Sequence, residues 1–250
     1  MLTSERKQLL LQRLQQQGRL EAKPLAAELG VSDDTIRRDL RELAAAGKLQ
    51  RVHGGALPKA AAEADLPTRQ ALASASKREV GATAAALIKP GQVVIIDGGT
   101  TALQLVAHLP TQLEITVVTH SPPVAVALAE HTAVSVIMIG GKLFRHSMVN
   151  VGAAAVAAVS HIRADTYFMG VTGVDAEAGL STGDLEEAHI KQALSQRSAD
   201  TVVLASEEKL SVASAFVVMP LEQVAGIVLD SNAPGAFVKQ MRAAGCHVYA

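Results

Sequence analysis

Leu25-Ala-Ala-Glu-Leu-Gly30-Val-Ser-Asp-Asp-Thr35-Ile-Arg-Arg-Asp-Leu40-Arg-Glu-Leu43, closed by Arg51-Val-His-Gly-Gly55, sets two short helices and a β-wing in quick succession. In the second helix Ile36, Leu40 and Leu43 fall within about 60° of one another on a wheel of about 100° per residue, a buried stripe. Arg37, Arg38 and Arg41 lie about 100°, 200° and 140° from Ile36, so the three guanidiniums leave by the opposite face. Ser32 is placed to N-cap this helix, Asp33 and Asp34 suit the positive end of its dipole, and Gly47 is the expected stop. Leu25, Ala26 and Leu29 predict a short amphipathic helix starting at Pro24, with Gly30 allowing the sharp turn between the two. The order is that of a helix-turn-helix.

A basic helix face taken alone is more often solvated surface than a reading edge. The flanks alter that weighting. Glu5 to Gln17, with Leu9, Leu10 and Leu14, predicts a third packing helix, and Leu49 to Val52 with Gly54-Gly55 predicts the strand and tip of a wing. Residues 1–59 hold eleven Lys/Arg against seven Asp/Glu, a net +4, which leaves −5 for the rest of a chain whose total is −1. Basic charge is therefore concentrated where phosphates would be met. Ser32, Thr35, Arg37, Arg38 and Arg41 are the candidates for the major groove, and Lys48, Arg51 and His53 for the backbone or minor groove.

Val31-Ser32, Thr35-Ile36-Arg37-Arg38-Asp39-Leu40, Leu43, Gly47 and Arg51-Val52-His53-Gly54-Gly55-Ala56 resemble the amino-terminal signature of the DeoR family of bacterial transcriptional regulators. The resemblance runs on through Ser76-Lys77-Arg78, Asp97-Gly-Gly-Thr100-Thr101, Val118-Thr119-His120-Ser121, Gly140-Gly141, Val151-Gly152 and Asp165 to Gly170. It implies a winged helix-turn-helix joined to a sugar-phosphate-isomerase-like sensor domain. It also implies a repressor of a carbohydrate or nucleoside catabolism operon, released from double-stranded operator DNA by a phosphorylated sugar or related small-molecule effector. Because one small module makes too few contacts for specific binding at cellular salt, a homodimer or homotetramer is expected.

A chain of 250 residues has room for one small module and one ordinary domain, each with its own core. The expected division is 1–57 for the DNA-binding module, 58–76 for a linker poor in apolar periodicity, and 77–250 for an α/β sensing domain. Past the linker, Val93 to Ile96, Ile115 to Val118, Val134 to Ile139, Thr166 to Met169, Thr201 to Leu204 and Ile227 to Leu229 alternate with alanine-rich helical stretches. This predicts a mainly parallel sheet between helices. One cysteine, Cys246, precludes an intrachain disulfide, and no paired Cys/His spacing suggests a metal. No cofactor, signal peptide or membrane segment is expected, and the reading is a soluble cytoplasmic protein.

Val93-Val-Ile-Ile-Asp97-Gly98-Gly99-Thr100-Thr101 reads as a buried strand running through two glycines into a helix start. It has two readings: a tight turn with a capping threonine, or an anion cradle of free N–H groups and hydroxyls. The family resemblance favours the cradle and makes Asp97, Gly98, Gly99, Thr100 and Thr101 effector candidates. Other loops at strand carboxyl ends are expected to converge there, adding His120, Gly141, Lys142, Arg145, Thr172 and Gly173. The resemblance also brings in Glu186 or Glu187 with Lys191, and Lys209, although Glu187 and Lys191 would equally form an i,i+4 surface pair. Two departures from the family pattern stand out: His120 replaces a more usual asparagine, and Ser206-Glu207-Glu208 replaces an aspartate-and-serine loop. The added negative charge is expected to weaken or redirect phosphate binding.

The isomerase likeness raises an enzymatic alternative, a sugar-phosphate isomerase-like enzyme carrying a DNA-binding module. Proton transfer between sugar carbons needs a positioned acid/base pair. The loop Gly170 to Gly179 offers one aspartate, no histidine and no paired acids, so the chain is expected not to be an enzyme. An activator sensing a non-phosphorylated ligand is a further alternative.

Overall fold

The computed structural model describes residues 2–60, 66–72 and 74–250. At its amino end α1 (Thr3–Gln17), β1 (Leu20–Glu21), α2 (Ala22–Leu29), α3 (Asp33–Ala45), β2 (Gln50–Val52) and β3 (Gly55–Leu57) form a winged helical head. Its core is Leu10, Leu14, Leu25, Ile36, Leu40, Leu43 and Leu49, so the apolar stripe expected on α3 is the one that is buried. Ser32 caps α3, its hydroxyl accepting the Thr35 N–H at 3.2 Å. α2 begins at Ala22, two residues before Pro24, because proline is tolerated within the first helical turn. α3 ends at Ala45, and Gly47 takes the left-handed conformation (φ 68°) just beyond it. The wing strands form an antiparallel sheet in the order β1-β3-β2. Gly55 is required where β3 crosses β1, since a Cβ there would lie 1.8 Å from the Leu20 carbonyl oxygen.

Beneath α3, Asp39 and Arg6 form a buried ion pair, with Arg6 Nε 2.5 Å from Asp39 Oδ2. It ties α1 to the helix that carries the arginines. A buried pair of this kind strongly destabilises when one partner is removed.

The stretch 58–76 was expected to be a plain linker. Residues 61–65 and 73 lie outside the described residues, but α4 (Leu66–Ala71) and the start of α5 (Ser74–Ala86) fall within it, and Leu66 and Arg69 are buried. The sequence signal for α4 is weak because six residues cannot display a helical period.

The larger domain follows with β4 (Val93–Ile96), α6 (Thr100–Ala107), β5 (Ile115–Thr119), α7 (Pro122–Ala127), β6 (Val134–Met138), β7 (Lys142–Phe144) and β8 (Val149–Val151). Then come α8 (Ala153–Val159), β9 (Ala164–Gly170), β10 (Gly173–Asp175), β11 (Gly179–Thr182), α9 (Leu185–Ser195), β12 (Ser198–Leu204), β13 (Phe216–Met219), β14 (Gly226–Val228), α10 (Gly235–Ala243) and β15 (His247–Tyr249). Among the described residues the main sheet has the order β15-β14-β12-β9-β4-β5-β6, with every neighbouring pair parallel. All six runs read as strands lie in it, and β15 joins at the edge. Separate apolar clusters cover its two faces, one around Tyr167, Met169 and Ile227, the other around Val94, Leu105 and Phe168.

Strand order reverses between β4 and β9. The chain winds outward from β4 through β5 to β6, then returns to the other side of β4 and continues to β15. A crevice opens at such a switch point, outside the strand carboxyl ends. The loops at that place are Asp97 to Gly99 and Val171-Thr172.

Candidate functional site

α3 presents its basic face outward. Arg37, Arg38 and Arg41 are exposed on the side opposite Ile36 and Leu40, as are Lys48, Arg51 and His53 around the wing. Arg37 is held by Asp33 one turn earlier at 2.6 Å. Ser32 and Thr35 join hydroxyls at 2.9 Å at the start of the same helix. Arg51 and His53 also line a cleft against the larger domain, opposite Glu177, Ser181 and Val217. There Arg19 reaches Asp175 at 3.2 Å and Glu177 more closely.

At the switch point a second, narrow cleft is lined by Gly98 to Thr101, Thr172, Glu187, Lys191 and Lys209 from the expected set. Gly99 caps α6 with φ 104°, a conformation suited to glycine, and the start of α6, Thr100 and Thr101, lines the cleft. Thr101 Oγ1 accepts a hydrogen bond from Lys209 Nζ at 3.1 Å, and the same ammonium donates to the Leu204 carbonyl at 3.1 Å. Burial, aided by the nearby Lys77, Arg69 and Lys191, pulls the Lys209 ammonium down to about 8 against the opposing pull of Glu208.

Asp97 has a different place from the one expected. It is fully buried behind the cradle and accepts bonds from Tyr167 Oη (2.7 Å), Lys191 Nζ (2.7 Å), the Gly170 N–H (2.9 Å) and the Gly98 N–H (2.7 Å), with His120 Nε2 at 2.7 Å. Burial pushes this carboxyl up, but Lys191 and His120 more than reverse that and hold it well below the usual carboxylate range. Asp97 is thus the buried anchor that fixes β4, β9 and α9 together. Lys191 remains charged: burial opposes the charge, while Asp97 and Glu187 raise its pKa.

Of the candidates, His120, Gly141, Lys142, Arg145 and Gly173 do not line the cleft. His120 is buried, its Nδ1 meeting the Asn150 carbonyl at 2.9 Å, so both ring nitrogens are occupied by the protein. Gly141 packs against β8, where a Cβ would come within 2.8 Å of the Val151 carbonyl oxygen. Lys142 and Arg145 are exposed on and beside β7, a hairpin strand outside the main sheet where the sequence predicts a loop. Gly173 lies against the Val212 carbonyl, 2.5 Å from where its Cβ would be. Glu187 is buried rather than half of a surface pair, with Ser147 and Thr182 hydroxyls donating to it at 3.2 and 3.3 Å and Lys191 at 3.6 Å.

Sequence reasoning missed Arg69, Ser147 and Thr182, which also line the cleft, and Glu208 lines it as its departure from the family pattern suggests. Arg69 comes from α4, and a Cβ on Gly99 would lie 3.9 Å from its guanidinium. Lys77, buried, grips the carbonyls of Arg69 (2.7 Å) and Leu72 (2.5 Å) and pairs with Glu208 at 3.2 Å. The carboxylate expected to repel an anion is therefore offset by an adjacent ammonium. Lys77 stood in the Ser76-Lys77-Arg78 motif, so a signal was present without its meaning.

A family model for the DeoR-like helix-turn-helix domain matches residues 6–59, and one for the DeoR C terminal sensor domain matches residues 72–231. This chain belongs to the DeoR family. A protein of Escherichia coli O157:H7 named for repression of the aga operon is 32% identical over 98% of this chain and 93% of its own length. The glycerol-3-phosphate regulon repressor of Haemophilus influenzae is 32% identical over 84% of this chain and 83% of its own. Ribose 5-phosphate isomerase A of Methanocaldococcus jannaschii overlays 54% of this chain and 53% of its own at 18% identity and a TM-score of 0.40. DeoR-family members are DNA-binding transcriptional regulators and not enzymes, and this one carries their two domains in their order. Asp175, the single acid of the Gly170 to Gly179 loop, is turned toward Arg19 rather than into the cleft. Among the described residues no helix is long and apolar enough to cross a membrane.

Proposed function

We propose that this chain is a cytoplasmic repressor of a carbohydrate or nucleoside catabolism operon, released from its operator by a phosphorylated sugar-type metabolite. The observation that carries the reading is the cleft at the β4/β9 switch point. It combines the N–H groups opening α6, the Thr100 and Thr101 hydroxyls, and the Lys209 and Arg69 cations, a donor set made for an anion. Relatives named for repression of the aga operon and the glycerol-3-phosphate regulon support it.

On the DNA side, Arg37, Arg38 and Arg41 would enter the major groove with Ser32 and Thr35 at the helix start, and Lys48, Arg51 and His53 would meet the backbone. A homodimer or homotetramer would pair two such heads on a two-fold operator. Coupling would run through α4, because Arg69 touches the effector cleft from within the segment that joins the two domains. An anion drawing on Arg69 would shift that segment and the head beyond it, favouring an assembly that no longer matches half-site spacing.

The test is a gel-shift titration with promoter fragments from the protein's own locus, adding phosphorylated and free sugars in turn. Release by phosphorylated sugars alone supports the reading. Failure to shift any local fragment at low salt without metabolite would overturn the DNA-binding part, and release by free sugars the phosphate part.

A further inference from the structure

Among the described residues, exposed large apolar side chains concentrate on one edge of the main sheet. Val136, Ile137 and Met138 on β6 are 38%, 46% and 51% exposed, and Val126 (74%) lies on α7, which packs against β6. β6 is an edge strand, and its consecutive residues Ser135 to Met138 are exposed on both faces. The opposite edge differs: Val248 and Tyr249 of β15 each pack into an apolar cluster. Natural edge strands are protected by charge, proline or bulges, and His131 to Gly141 has no Asp, Glu, Lys, Arg or Pro.

The backbone says what kind of strand would fit. The Ile139 N–H bonds the Thr119 carbonyl of β5 at 2.8 Å, so residues 135, 137 and 139 turn their polar groups inward and Val134, Val136 and Met138 turn theirs outward. The Val134 N–H is used internally by the His131 carbonyl at 2.9 Å. An antiparallel copy of β6 centred on Val136 would pair most of the remaining groups: the two Val136 residues exchange both bonds, and each Met138 N–H meets the other copy's Val134 carbonyl, leaving the Met138 carbonyl to water. The uncharged strand lets identical residues face each other without repulsion. In the same register the exposed Glu130 before one strand lies toward the exposed Lys142 beyond the other, so the ends carry opposite charge.

We infer that β6 is a homotypic interface, joining two copies of this chain edge to edge about a two-fold axis at Val136 into one continuous sheet. The inference rests on the paired assembly proposed above and names its surface. A two-fold so placed is isologous, as an operator-binding pair requires.

Three variants and the unmodified chain test it. Val136→Asp sets two carboxylates at the axis and is expected to weaken the dimer about a hundredfold by light scattering over a dilution series. Val136→Cys is expected to be captured as a covalent dimer by a short bis-maleimide linker, since directly opposed Cα atoms of a hydrogen-bonded pair lie about 5.5 Å apart. Leu185→Cys, exposed elsewhere, should not be. Should Val136→Asp fail to fold, Glu130→Lys is expected to weaken the dimer and Glu130→Lys with Lys142→Glu to restore it. A dimer untouched by these changes overturns the surface and leaves the paired reading; an unmodified chain of monomeric mass at every concentration overturns both.

Discussion

Lys209 lines the cleft beside Thr101 with its ammonium pulled to about 8 by burial, so its charge is sensitive to ordinary changes of pH. Below 8 it is protonated and attracts a phosphate; as pH rises through 8 the charge is lost. Effector affinity, measured by calorimetry between pH 7 and 9, is therefore expected to fall on the alkaline side, and Lys209→Met to flatten that part of the profile. Thr101→Ala removes the hydroxyl that Lys209 grips and is expected to weaken the effector response while leaving effector-free operator binding unchanged. Asp97→Ala is a different kind of change. It leaves the buried Lys191 ammonium without its main partner, at a cost of about 3–5 kcal/mol, and should appear as a lowered melting temperature. Thr101 and Lys209 were legible in the sequence because motif and helix start mark them. Arg69, Thr182 and Ser147 were not, because nothing local distinguishes an arginine in a short helix or a serine in a turn that folding brings to the cleft. His120 misled because a polar residue after a strand looks like a ligand until both its nitrogens are seen bonded within the protein.

At the scale of elements, α3 separates a buried apolar stripe from the exposed basic face proposed to read DNA. Leu40→Ala empties a buried position and is expected to cost about 2–5 kcal/mol in chemical denaturation. Arg38→Ala, on the exposed face, should leave that stability within about 0.5 kcal/mol of the parent and abolish operator protection in footprinting. Loss of stability with Arg38→Ala would contradict its placement on the outer face. Helices of the head were readable because each has a repeating apolar stripe, and the sheet because each central strand is a short β-branched run buried on both faces. α4 and the hairpin of β7 and β8 were not, being too short for either period.

For the whole molecule, the contact of Arg19 with Asp175 and Glu177 seats the wing beside the larger domain, where Arg51 and His53 line a shared cleft. Such a partly exposed pair contributes up to about 1 kcal/mol. Arg19→Ala is expected to free the head and raise operator affinity without effector by up to about fivefold, read by fluorescence anisotropy. Unchanged affinity would mean that the seated pose does not compete with DNA.

Local pattern alone determined the trihelical head, the outward face of its arginines and the parallel α/β layering, because each is written within a few turns or one strand, whereas the Asp97 to Thr101 loop reads locally as a turn or a cradle alike. Only the tertiary structure decided which charges meet: Asp97 behind the cradle instead of in it, Lys77 against Glu208, Arg69 in the cleft and Arg19 across the domains. Those partners lie far apart along the chain, and spacing in sequence carries no information about groups that only packing brings within reach of each other.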